Sequence, residues 1–94
     1  VKEKTVEIEG QRFTIKRLTL GEKGEVYDRA AEVDAGGRTR IRTRDFLVYT
    51  LVYGVKEPKL RAEEASALDA SIGERLFAEV TAFNSLPLPR PNGS

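Results

Sequence analysis

The stretch Phe46-Leu47-Val48-Tyr49-Thr50-Leu51-Val52-Tyr53 decides how the rest of the chain must be arranged. No other segment is this long and this free of charge. The other apolar segments alternate with charged residues and can leave one side to water. This one must be covered on most sides, so the remaining elements are expected to pack onto it. It is too short to cross a bilayer, which takes about 20 apolar residues. Periodicity does not separate a buried helix from a buried strand in such a run. Its β-branched residues and tyrosines favour a strand, but its flanks favour a helix. Thr43-Arg44-Asp45 offers a hydroxyl for the N-cap and an acid for the first turn, and Gly54 offers a C-terminal stop. The flanks predict a helix over residues 44–54.

Upstream, residues 4–18 predict a β-hairpin. A two-residue turn at Gly10-Gln11 places glycine first, as a type II′ turn requires. Glu9 then faces Arg12, Ile8 faces Phe13, Glu7 faces Thr14, Val6 faces Ile15 and Thr5 faces Lys16. The apolar residues share one face, which a one-residue slip would destroy. An isolated hairpin is marginal in water, so the Val6, Ile8, Phe13, Ile15 face should rest on helices.

Thr19 and Glu22 have the spacing of a capping box, with Leu18 in the position of a hydrophobic staple. A helix over 20–33 follows, its apolar side formed by Leu20, Val26, Tyr27, Ala30, Ala31 and Val33. Gly24 within it predicts the close approach of another backbone. Residues 34–42 read as a loop, and Arg38, Arg40, Arg42 and Arg44 fall on alternate positions that an extended chain would align. Val55 to Leu60 is a connector in which Pro58 blocks helix continuation. A short helix over 61–69 and a last helix over 72–84 complete the pattern. The last helix opens on a second capping box, Ser71 to Glu74. Its stripe is Ile72, Leu76, Val80 and Phe83, with Phe77 on the flank. Asn84 and Ser85 suit its end.

These elements predict an α+β, mostly α fold: a hairpin over about 4–18 packed on a bundle of about four helices. Residues 1–86 form a single compact domain, and 87–94, with three prolines, a mobile tail without core pattern. The length of 94 residues suits one domain with one core.

Composition narrows the function classes. Lys and Arg total 16 against 15 Asp and Glu, a net charge of +1 that gives no overall drive toward nucleic acid or anionic lipid. There is no cysteine for disulfide or thiolate chemistry and no histidine, the commonest general base and metal ligand. Val1-Lys2-Glu3-Lys4 does not resemble a signal peptide, which predicts an intracellular protein.

No catalytic set emerges. Gly21-Glu22-Lys23-Gly24 lacks the Lys-Ser/Thr ending of a phosphate loop. Glu63, Glu64 and Asp69 lack metal-ligand spacing, and Ser66 and Ser71 have no histidine to activate them. Neither an enzyme nor a cofactor is predicted. Partner binding remains, with two candidate surfaces. One is the outer sides of the first and last helices near Tyr27 and Phe77. The other is Arg38, Arg40, Arg42 and Arg44, suited to phosphate or else a solvated loop balanced by Asp28, Glu32, Asp34 and Asp45. Tyr49 and Tyr53, four apart, are expected in the core with hydroxyls at its rim.

The order of elements resembles the tail assembly chaperones of long-tailed bacteriophages. A glycine-turned hairpin leads into Arg17-Leu18-Thr19-Leu20-Gly21-Glu22. An acidic first helix, a loop and an apolar helix follow, the last ending near Gly54-Val55-Lys56-Glu57-Pro58. Ala62-Glu63-Glu64-Ala65-Ser66-Ala67-Leu68 precedes a final helix ending Phe83-Asn84-Ser85-Leu86. In that family an extended segment runs into a Leu-Thr-x-x-Glu helix start, and the last helix ends in asparagine, a small residue and leucine. The resemblance spans about residues 4–86 and carries no catalytic residues. It implies a non-enzymatic protein of the host cell cytoplasm, absent from the mature virion. Such a protein coats the tape measure protein, with the tail tube protein as a second partner and self-association left open. Many such proteins also have a longer frameshifted form. The alternative drawn from the residues alone is a small nucleic-acid-binding regulator using the arginine-rich loop 38–44.

Overall fold

The computed structural model describes residues 2–85. The fold is α+β: an N-terminal antiparallel sheet against four helices. The predicted tail, 87–94, lies outside the described residues.

Strands β1 (Glu3–Ile8) and β2 (Gln11–Lys16) form the predicted hairpin, but in a different register. Val6 pairs with Phe13 and Ile8 with Gln11, not Ile8 with Phe13 and Val6 with Ile15. The turn sits at Glu9-Gly10, one residue earlier than expected. Both residues have positive φ, 48° and 81°, the pattern of a type I′ turn, whose twist matches that of the flanking strands. The register moves by two residues, which leaves every side chain on its expected face. Val6, Ile8, Phe13 and Ile15 are all buried.

A third strand, β5 (Val55–Glu57), adds antiparallel to β2 and places Val55 beside Ile15 across a bulge. The supposed connector is therefore part of the sheet. The Glu57–Pro58 peptide bond is cis.

Helix α1 (Leu20–Ala30) opens on the predicted capping box. The Glu22 N–H donates to the Thr19 hydroxyl at 3.1 Å, and the Thr19 N–H to the Glu22 carboxylate at 3.0 Å. The helix ends three residues short of the expected 33. Ala31–Val33 leaves it as strand β3, which pairs with β4 (Thr39–Ile41) in a small separate ribbon. Its turn is held by Asp34, whose carboxylate accepts from the Gly36 and Arg38 N–H groups, both at 2.9 Å. Gly37 takes φ +81°. A third of the supposed loop, Thr39–Ile41, is thus strand. Leu20 and Val33, assigned to the apolar side of the helix, lie exposed instead. Gly24 meets no other backbone: a Cβ there would have open space around it.

Helix α2 (Thr43–Gly54) is the predicted central helix. Arg42, not Thr43, occupies its cap position, and no side chain caps it. Gly54 does more than stop the helix. A Cβ there would collide with the Val80 side chain, so glycine lets α2 close on α4 (Ala70–Asn84). The short α3 (Ala62–Ser66) lies between them in sequence and is shorter than the expected 61–69. Helix α4 starts before the expected residue 72, because Asp69 rather than Ser71 provides the cap.

Phe46, Thr50 and Leu51 of α2 are buried at the centre of one core. Ile72, Leu76, Phe77 and Val80 of α4 share it with the hairpin face. Among the described residues no helix is long and apolar enough to cross a membrane.

Candidate partner-binding surface

Where α2, α3 and α4 meet, the chain leaves an open trough of about 260 Å³. Leu47, Val48 and Leu51 share one stripe of α2 and form one wall. Ala65, Ser66 and Leu68 form the second, and Ala70 and Gly73, with Glu74 at the rim, form the third. Small side chains on α3 and α4 produce the hollow, because nothing there reaches across to α2. Arg44 stands at the α2 rim. A second hollow of about 310 Å³ shares Arg44, Val48 and Ser66 and continues toward Tyr49, Ala62 and Glu63.

Local caps fix both helix starts that flank the trough. The Glu64 carboxylate accepts from the Arg61 N–H at 2.9 Å. Asp69 accepts from the Ser71 hydroxyl at 2.6 Å and from its N–H at 3.1 Å. The hydroxyl, then the N–H, holds the Asp69 carboxyl below its ordinary range. The same hydroxyl lies 2.9 Å from the Glu9 carboxylate, so its single proton is shared between the start of α4 and the hairpin turn.

The residues singled out from the sequence do not gather on one face. Tyr27 is half-buried, its ring 5.5 Å from that of Phe46, and burial pushes its phenol pKa up. Phe77 is only 7% exposed and meets Phe46 edge-on at 5.9 Å. It belongs to the core rather than to the flank of α4. Tyr27, Phe46 and Phe77 form a run of rings joining α1, α2 and α4. Tyr49 and Tyr53 stack loosely at 6.5 Å, with the Arg29 guanidinium 5.2 Å from the Tyr49 ring centre.

The arginines are separated by structure. Arg40 on β4 pairs with Glu32 across the ribbon at 2.6 Å. Arg42 binds Asp45 at 2.9 Å and donates to the Arg29 carbonyl at 2.8 Å. Arg38 sits at the ribbon turn, and Arg44 has already entered α2. Phosphate contact by all four would require Arg40 and Arg42 to give up these partners. Leu47 belongs to the charge-free run and Gly73 to the expected Ser71–Glu74 helix start, and neither position alone points to a trough. The signal that could have revealed the trough is the run of small residues at 62, 65, 66, 70 and 73.

Among the described residues no cluster of three or more Asp or Glu side chains could hold a metal ion. Comparison with protein-family models, curated proteins and solved structures finds no match to this chain.

Proposed function

We propose that this chain is a non-enzymatic assembly chaperone of the long-tailed-bacteriophage type. It binds the unassembled tape measure protein in the host cell cytoplasm, with the tail tube protein as a second partner. It keeps that partner soluble until tail assembly and stays out of the finished virion. The observation that carries this reading is the open apolar trough between α2, α3 and α4. An unassembled rod-like partner exposes apolar helix faces that aggregate unless covered. A groove lined by helices accepts such a face by side-chain packing alone. One trough of this size gives a modest contact, and many copies along one long partner supply avidity.

Co-expression with a tape measure protein from the genome that encodes this chain tests the proposal. The partner should move from the pellet to the soluble fraction and co-purify. A partner equally insoluble with and without the chain, and not co-purifying, would overturn it.

A further inference from the structure

The trough has three properties that together specify its occupant. The first is size. A dry cavity of about 150 Å³ already holds a benzene ring, so the 260 Å³ of the trough has room for one bulky side chain.

The second property is charge. Arg44 is 85% exposed and among the described residues reaches only Asp45, at 3.9 Å, an acid that Arg42 already holds at 2.9 Å. Across the trough Glu74 is exposed and makes no ion pair among the described residues. The two walls thus offer one cation and one anion, each free for a partner of opposite sign.

The third property is Gly73. Its backbone is helical, where alanine is the more stable choice. A Cβ there would have Leu68 Cβ at 3.8 Å as its nearest neighbour, an ordinary contact. Neither backbone conformation nor packing among the described residues calls for glycine. A larger side chain at this position would occupy the trough.

The walls are side chains of the three helices and of Leu68 in the turn between α3 and α4, and they present no free strand edge. An extended peptide would find no backbone partners there, while a helix brings its own backbone bonds. We infer that the trough seats one large apolar side chain from an amphipathic helix of the partner, that this helix sets a carboxylate against Arg44 and a basic group against Glu74, and that Gly73 sets the size of the anchor admitted. This rests on the partner-binding role proposed above and adds the chemistry of what is bound.

The test is an NMR titration of the ¹⁵N-labelled chain with synthetic amphipathic helical peptides. All share one apolar stripe centred on a phenylalanine. They differ only in the two residues flanking it: one acidic and one basic, both acidic, or both basic. Amide shifts should centre on Leu47, Leu68 and Gly73. The mixed peptide should bind about five-fold more tightly than either other. In the Arg44→Glu chain the doubly basic peptide should become the best ligand. Gly73→Leu should weaken all three by about ten-fold with the helical circular dichroism unchanged. Should that variant not fold, Gly73→Ala serves in its place, with binding weakened and melting temperature raised.

Absence of binding, absence of charge preference, shifts centred elsewhere, or full binding by the Gly73 variants would each overturn the inference. So would groove shifts that grow with protein concentration alone, because a second copy would then be the occupant. Full co-purification of the tape measure protein with Gly73→Leu would remove the trough as the seat and leave the chaperone role standing. Failure of the unaltered chain to co-purify it would remove that role, while the peptide titration still decides the trough.

Discussion

Asn84, at the last turn of α4, accepts a hydrogen bond from the Leu18 backbone N–H at 2.7 Å, across 66 positions of chain. Its amide also donates to the Lys16 carbonyl at 3.1 Å and to the Val80 carbonyl at 3.0 Å. One side chain thereby satisfies both sides of the junction where the hairpin gives way to α1, and locks it to the end of α4. Arg17 adds a second tie, its guanidinium 4.8 Å from the Phe83 ring centre. Asn84→Ala strands a backbone donor and acceptor in a partly buried place. It should lower stability by about 1–3 kcal/mol and speed hydrogen exchange at the Leu18 amide. Asn84→Asp keeps the acceptor but sets a carboxylate oxygen against both carbonyls at the C-terminal end of α4, so at neutral pH its melting temperature should fall at least as far as that of the alanine variant.

Two glycines predict opposite outcomes for one substitution. At Gly54 a new methyl meets Val80, which is fully buried and branched at Cβ. Gly54→Ala should force α2 from α4 and cost about 1–3 kcal/mol. At Gly24 the methyl enters open space on an exposed helix face. Gly24→Ala should raise stability by about 0.5–1 kcal/mol. Urea denaturation of the two variants side by side checks both signs.

Neighbours in α2 form a second contrasting pair. Leu51 is 3% exposed, and Leu51→Ala should cost about 2–5 kcal/mol. Thr50 is fully buried, yet its hydroxyl finds no partner among the described residues. Thr50→Val keeps the shape and removes an unsatisfied polar atom, so the melting temperature should hold or rise, by up to about 1 kcal/mol of added stability.

Acid should weaken the first helix through Glu22. Burial alone would push this carboxyl up. The Lys16 ammonium at 2.6 Å and the bonds to Thr19 outweigh that effect and hold it below its ordinary value. A carboxyl depressed in the folded state contributes stability that is complete above its unfolded pKa, about 4.3, and is lost as pH falls through the lower folded value. Glu22→Gln should therefore be less stable than the native chain at neutral pH, and the difference should shrink below about pH 4. Melting curves across pH 2 to 7 measure this directly.

The order of the main elements was legible because each carried a local signal. Period-two alternation named the hairpin face, Thr19 and Glu22 marked the start of α1, and the charge-free run announced α2. What escaped depended on contacts distant in sequence or on backbone angles. The hairpin register escaped because a two-residue shift preserves every face, and because the turn asks Glu9 for a positive φ that its side chain does not advertise. β5 is three residues long and becomes a strand only because β2 lies beside it. Ala31-Glu32-Val33 continued a helical pattern, and only its pairing with Thr39 to Ile41 draws it away. Phe77 looked like a flank residue until Phe46 was placed against it. The trough was hidden for a different reason: it consists of missing bulk on α3 and α4, which only their arrangement around α2 turns into a space.

The most direct test of the chaperone account is the soluble fraction of co-expressed tape measure protein, measured with the native chain, with Leu47→Glu and with an Arg38→Ala, Arg40→Ala double variant. Leu47 is half-buried at the trough wall, so circular dichroism first confirms that the glutamate variant keeps its helices. The account predicts that the native chain and the arginine variant hold the partner in solution, and that Leu47→Glu lets it precipitate. A partner as insoluble with the native chain as without it would contradict the account, and equal solubility with the native chain and Leu47→Glu would remove the trough as its seat.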